Sequence, residues 1–258
     1  MYDTLWIGCS HSAGLYDINN NILSSDKGIA NRLAEAYNQK WKILSFPGEG
    51  NHTFMEAVKL LDDTGHLSKF RNIIVQQTYE PRLNFYSQAA YSRVFDGLLS
   101  YIEDPDNLET FNASLKNLNE KVFSILGREF YEIHEKNFIN EKINFTDVAA
   151  RMADEIDPRD PKLEHYAIWT KAALDYIKLV AQKNDCNFYT FSWTGSYSTQ
   201  PKNYPKKGLF NGEQNMFDLI REENLNGELS KPGSHPTETI LNFAFKQLTK
   251  ELYEIGYT

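Results

Sequence analysis

Two rhythms of apolar and polar positions alternate along the chain. Short apolar runs ending in clusters of small and polar residues read as buried strands, whereas apolar positions three and four apart read as amphipathic helices. The run Leu5 to Gly8 predicts a first strand that opens into Gly8, Cys9, Ser10, His11 and Ser12. Ile29, Leu33, Ala36 and Tyr37 then give helical spacing over residues 26–38, with Ser25 or Asp26 placed to cap its start. WKILSF at residues 41–46 predicts a second strand, stopped by Pro47 and Gly48 in PGEGN. Phe54, Val58 and Leu61 mark a second helix, and Ile73, Ile74 and Val75 in NIIVQQT a third strand buried on both faces. The rhythm is β-α-β-α-β.

From about Asn84 to Asn184 it changes to helical patterns at residues 91–102, 108–130 and 163–182, broken at EDPDN and DPRDP. Periodicity is weaker over 138–157, and no strand is predicted in the whole segment. CNFYTFSW at residues 186–193 resumes the strand pattern. The polar, Gly/Pro/Tyr-rich stretch from 194 to about 232 reads as a functional loop, with one short helix near 216–222. Ile240, Phe243, Phe245, Leu248 and Leu252 space a last amphipathic helix over 237–253. The fold class expected is α/β, a three-layer α/β/α sandwich around a mainly parallel sheet, in one domain spanning 1–258 with a helical insertion at about 84–184. In such sheets ligands bind outside the carboxyl ends of the strands, so the loops GCSHSAG, SFPGEGNHT, QQTYEPR and GSHPT matter most.

Composition removes several partners. With 27 Lys+Arg against 35 Asp+Glu the formal charge is -8, and no long basic run exists to neutralise phosphates, so neither nucleic acid nor an anionic membrane is an expected partner. Two cysteines, Cys9 and Cys186, make no disulfide framework or zinc cluster and read as free thiols in a reducing compartment. The N-terminus has no basic n-region and no segment approaches 18 uninterrupted apolar residues. The expectation is a soluble, cytoplasmic protein, with association with a virion left open.

Acyl transfer needs a nucleophile, a base and donors for the oxyanion. Ser10 just past the first strand is placed for the first role and His235 before the last helix for the second. Donors are the backbone N–H of Ser10 or Cys9, that of Gly48, where a missing side chain lets main chain approach a ligand, and a side chain such as Thr78. Cys9 is a rival nucleophile whose other reading is a small buried strand end. His11 and His52 are candidate substrate contacts, or a metal site with Asp17 or Glu49, although their spacing matches no metal signature. Arg82 suits an anionic group or an ion pair with Glu80, and Tyr189, Trp193, Tyr197 and Tyr204 suit either sugar stacking or core packing.

In order, these loops resemble the four blocks of the SGNH (GDSL-like) hydrolase family. GCS at 8–10 resembles its GDS, SFPGEGN at 45–51 its glycine block and SHP at 234–236 its last block. The resemblance implies the flavodoxin-like SGNH fold and an esterase or O-deacylase needing no cofactor or metal, with an acylated carbohydrate as one substrate class. Ser10 is the implied nucleophile, His235 the base and Gly48 an oxyanion donor. Thr78, or Gln77, replaces the Asn of the third block, and His11, Asn51, Gln77, Arg82 and Trp193 are the expected substrate contacts. The family's Asp three residues before the His is here Pro232, so a carboxylate such as Asp218 or Glu228, or a main-chain carbonyl, must orient His235. Without one, the scaffold reads as a non-catalytic binding or structural module. The insertion is expected to serve as a lid or as a homo-oligomer surface.

Overall fold

Side chains on successive strand residues point to opposite faces, so strands apolar at every position bury both faces of their sheet and need helices on each side. The computed structural model describes residues 2–47, 49–78, 83–86, 88–109, 111–112, 122–125, 162–193, 209, 215–231 and 235–257. In chain order its elements are β1 (Tyr2–Gly8), β2 (Leu15–Tyr16), β3 (Ile22–Ser24), α1 (Ile29–Tyr37), β4 (Trp41–Ser45), α2 (Asn51–Asp63) and β5 (Phe70–Gln77). There follow β6 (Leu83–Tyr86), α3 (Gln88–Glu103), β7 (Val122–Ile125), α4 (Lys162–Lys183), β8 (Asn187–Ser192), α5 (Met216–Glu222) and α6 (Glu238–Glu254).

The main sheet has the order β4-β1-β5-β8, and every pairing in it is parallel. Ile7 lies between Leu44 and Val75, and Gln77 pairs with Ser192. Leu5, Ile7, Leu44, Ile73 and Val75 face a core shared with Phe54, Val58 and Leu61 of α2, Val94 and Leu98 of α3, and Ile177 and Ala181 of α4. Trp6, Ile74 and Phe191 face the opposite core, with Ile29 and Leu33 of α1, Met216 and Ile220 of α5, and Ile240, Leu241, Ala244 and Leu248 of α6. The molecule is a mixed α/β structure with a parallel sheet flanked by helices. From β1 the chain goes first to one neighbour, β4, and then crosses to the other, β5. The crevice beside the carboxyl end of β1 is therefore the topological switch point where such sheets bind ligands.

Two local expectations need correction, and one pair of strands was not expected at all. The residue at the start of α1 is Gly28, not Ser25 or Asp26, and no side chain caps the helix. A Cβ at Gly28 would stand 2.8 Å from the Ser12 carbonyl oxygen, so the helix begins where it packs on the turn after β1. The segment 84–184 is not free of strands, since β6 and β7 pair antiparallel with Leu83 opposite Ile125. The sequence Val-Phe-Ser-Ile at 122–125 has β-branched and aromatic residues that favour a strand once a partner is adjacent, which ends the helical reading of 108–130. A third departure is the antiparallel pair β2–β3, unforeseen and central to the site. β5 and β8, from the two sides of 84–184, pair directly with Val75 opposite Thr190, while residues 126–161 lie outside the described residues. Among the described residues no helix is long and apolar enough to cross a membrane.

Candidate active site

Beyond β1 the chain folds back in a 3-10 turn, Ser10–Ser12, closed by Ser12 N–H to the Cys9 carbonyl at 2.9 Å and Ala13 N–H to the Ser10 carbonyl at 3.1 Å. The Ser12 hydroxyl accepts from Trp6 Nε1 at 2.8 Å and donates to Gln76 Oε1 at 2.5 Å, while Gln76 Nε2 donates to Cys9 Sγ at 3.2 Å. Gly8 permits this return, because a Cβ there would lie 2.4 Å from Ser12 Oγ and 2.6 Å from Gln76 Oε1. The result leaves Ser10 half-buried at the carboxyl edge of the sheet. Cys9 turns into the α2-side core, 1% exposed, with Sγ 3.3 Å from His11 Nδ1.

His235 precedes α6 in a loop that closes on itself. Its N–H donates to Ser230 Oγ at 2.8 Å, and Ser230 N–H donates to its carbonyl at 3.1 Å. Its ring Nε2 lies 2.8 Å from Ser10 Oγ, 225 residues away in sequence, and its Nδ1 lies 2.6 Å from Asn20 Oδ1. The Tyr16 ring stacks on the imidazole, centroids 4.3 Å apart and planes 13° from parallel, and the Tyr16 hydroxyl donates to the Ser10 carbonyl at 3.0 Å. Burial, with a smaller contribution from Cys9, pushes the Tyr16 hydroxyl well above its ordinary pKa of 10, so it stays a donor at neutral pH. His11 packs against His235 with 5.0 Å between ring centroids and against Trp193 and Phe217 at 5.4 and 5.7 Å.

Asn20 and Tyr16 come from the β2–β3 hairpin. Asp17 builds its turn: one carboxylate oxygen accepts from the N–H groups of Asn19 and Asn21 at 2.9 and 2.8 Å, the other from Asn21 Nδ2 at 2.8 Å. These bonds, the Asn21 side chain first, hold the Asp17 carboxyl below its ordinary pKa. Asn20 takes the left-handed conformation at φ 70°, which Asn tolerates better than most residues. The hairpin docks on the His235 loop through Tyr16 N–H to the Pro236 carbonyl (3.1 Å), Lys231 N–H to the Ile18 carbonyl (2.7 Å) and Ser230 Oγ–H to Asn20 Oδ1 (2.8 Å). The Asp218 carboxylate is engaged at the start of α5, where it accepts from Asn215 Nδ2 and from Arg221 Nη1 at 3.4 Å, and the main-chain carbonyl of Glu228 takes Thr237 Oγ1 at 2.6 Å. Pro232 lies outside the described residues.

Of the other expected contacts, Thr78 stands just past β5, 2% exposed, and its hydroxyl has no hydrogen-bond partner among the described residues. Asn51, the first residue of α2, is enclosed: Oδ1 accepts from Thr78 N–H at 3.0 Å, and Nδ2 donates to the Thr78 carbonyl and Thr170 Oγ1, each at 3.2 Å. Its amide thus positions Thr78, where a substrate contact was expected. Gln77 Nε2 binds Thr190 Oγ1 at 2.9 Å on β8, and its neighbour Gln76 is the one that reaches the Ser10 turn, since adjacent strand residues face opposite sides. Trp193 and His11 are buried against each other, so Trp193 presents no exposed face for a sugar. Gly48 and Arg82, with Tyr197 and Tyr204, lie outside the described residues. Among the described residues no three His, Cys, Asp or Glu side chains group so as to hold a metal ion.

The fold and site define an α/β protein with a Ser–His pair at the switch point of its parallel sheet. Similar solved structures include the lipase/acylhydrolase from Enterococcus faecalis, at TM-score 0.34 and 11% identity over 98% of this chain and 96% of that one. Another is the lipase Lip_vut3 from a goat rumen metagenome, at TM-score 0.29 and 10% identity over 100% and 98%. No family model and no curated protein sequence matches the chain. Alignments at these scores carry no weight for the chemistry, which rests on the geometry of Ser10 and His235.

Proposed function

We propose that this protein is a serine hydrolase of the SGNH (GDSL-like) kind that cleaves an ester, with an acyl group on a carbohydrate as the substrate class to test first. The observation that carries this reading is the 2.8 Å contact between Ser10 Oγ and His235 Nε2. A hydroxyl is a weak nucleophile until a base within hydrogen-bond reach takes its proton. Ser10 Oγ attacks the ester carbonyl as its proton passes to Nε2; the tetrahedral intermediate collapses to an acyl-enzyme, and Nε2–H protonates the departing alcohol. Water then attacks the acyl carbon, gives one proton to Nε2, and the released Ser10 oxygen takes it back as the acid leaves. The Ser10 amide, the Gly48 amide and Thr78 are the oxyanion donors in this reading, supported by the buried, unengaged Thr78 hydroxyl among the described residues. The net charge of -8 supports a neutral substrate over nucleic acid, an anionic membrane or an unmodified polyanion.

Labelling with a fluorophosphonate probe, comparing wild type with Ser10→Ala and Cys9→Ala, tests the reading. Labelling lost in Ser10→Ala and retained in Cys9→Ala is expected, together with hydrolysis of short p-nitrophenyl esters and, on a panel, of O-acetylated sugars. Folded wild-type protein that neither labels nor turns over these esters returns the chain to the binding-module reading.

A further inference from the structure

A carboxylate beside a catalytic histidine does two things: it fixes which ring nitrogen carries the proton, and it stabilises the imidazolium formed in the transition state. The group bonded to His235 Nδ1 is a neutral amide, so the two tasks separate. We propose that the β2–β3 hairpin replaces the missing carboxylate as a unit, Asn20 fixing the tautomer and the Tyr16 ring stabilising the charge. This deepens the hydrolase reading and rests on it.

Proton counting assigns the first role. Ser230 Oγ already accepts the His235 N–H at 2.8 Å, and its single proton goes to Asn20 Oδ1 at 2.8 Å. Oδ1 is thereby held as an acceptor facing the ring. His235 Nδ1, 2.6 Å away, must supply a proton to it, which leaves the Nε2 lone pair for Ser10 Oγ–H. The backbone helps, because the Asp17-centred turn sets Asn20 at φ 70°, aiming its short side chain back at the loop. The stack assigns the second role. An imidazolium lying 4.3 Å above the Tyr16 ring and 13° from parallel meets the electron-rich π face. The Tyr16 hydroxyl, fixed on the Ser10 carbonyl, keeps that ring in place. Asn20 and Tyr16 act through His235 and are positioning residues.

Asn20→Gly is the informative variant, since glycine adopts positive φ freely and the substitution deletes the amide while sparing the turn. Its kcat is expected to fall about a hundredfold or more with KM little changed. Asn20→Asp retains the acceptor and adds a negative charge, so activity survives and the acid limb of the kcat/KM profile moves to higher pH, because the carboxylate favours protonated His235. The titratable side chains packed on the ring, His11 and Tyr16, are unchanged between wild type and the two Asn20 variants. Tyr16→Leu loses about two- to thirtyfold in kcat, whereas Tyr16→Phe, which keeps the ring and gives up only its anchor on the Ser10 carbonyl, loses less. Nitrogen-15 NMR of the His235 ring reads the tautomer without turnover: the proton on Nδ1 in wild type, shared between both nitrogens in Asn20→Gly. A folded Asn20→Gly with wild-type kcat, pH profile and tautomer overturns the role of Asn20, and equal kcat for Tyr16→Leu and Tyr16→Phe overturns that of Tyr16. Wild-type labelling at Ser10 in either case leaves the hydrolase reading standing, so the two failures are distinguishable.

Discussion

Lys42, the second residue of β4, is 2% exposed, with Nζ donating to the Tyr101 carbonyl at 2.6 Å and lying 3.9 Å above the Tyr101 ring centroid. Loss of solvent lowers its pKa from the ordinary 10.5 to about 8, against a smaller upward pull from Asp104. At 1.36 kcal/mol per pH unit that gap is a differential cost of about 3 kcal/mol for holding the charged form in the fold. Below pH 8 folded and unfolded chains both carry the proton, and the cost is fully present. Between about 8 and 10.5 the unfolded chain binds more protons, so stability rises with pH, and above that range the cost is gone. Lys42→Met removes the titrating group and keeps an unbranched apolar chain. The informative quantity is the stability of the variant minus that of wild type, measured by urea denaturation at pH 7 and at pH 10.5. Changes in packing and the titration of the tyrosines are common to both terms and cancel. The difference should favour the variant by about 3 kcal/mol more at pH 7 than at pH 10.5. Curves that stay parallel within about 1 kcal/mol would show the ammonium to be solvated and refute the reasoning. Lys42 pairs with Leu5 near the amino end of the sheet, remote from the carboxyl edge, so fluorophosphonate labelling at neutral pH should be unchanged.

Two further substitutions test how the loops are held. Gly8→Ala pushes a methyl group into Ser12 Oγ and Gln76 Oε1, and should cost about 1–3 kcal/mol, lowering Tm by about 2–4 °C per kcal/mol; an unchanged Tm would mean that the turn after β1 does not depend on this glycine. Asn51→Ala removes the partner of both main-chain groups of Thr78 and should cost about 2–4 kcal/mol, with faster hydrogen exchange at the Thr78 amide; unaltered protection there would place the control of Thr78 elsewhere.

The Ser10–His235 pair and the hairpin beside it differ in how far they could be read from local pattern. Ser10 and His235 follow from their positions next to a buried strand and the last helix, which the apolar spacing of Leu5–Gly8 and of Ile240, Leu248 and Leu252 marks clearly. The hairpin gave a weaker signal. Its strands have two and three residues, and Ile22 and Leu23 are 56% and 61% exposed, so the alternation that reveals a strand is absent. The Asp17-Ile-Asn-Asn run is a turn signal that could have located it, although nothing in the run points to a histidine 215 residues away. Gln76, one residue before the expected Gln77, is the side chain that reaches the turn after β1, because each strand residue reverses the face of the last.

By itself the sequence determined the rhythm of elements, and with it the parallel α/β sheet and the edge at which Ser10 and His235 emerge, because burial on both faces of a strand and on one stripe of a helix is written in local spacing. Tertiary structure alone decided what orients His235. That partner is delivered by the docking of an exposed hairpin on a loop through a few main-chain and hydroxyl hydrogen bonds. Such bonds depend on where two backbones meet in space, and leave no periodic trace in either segment.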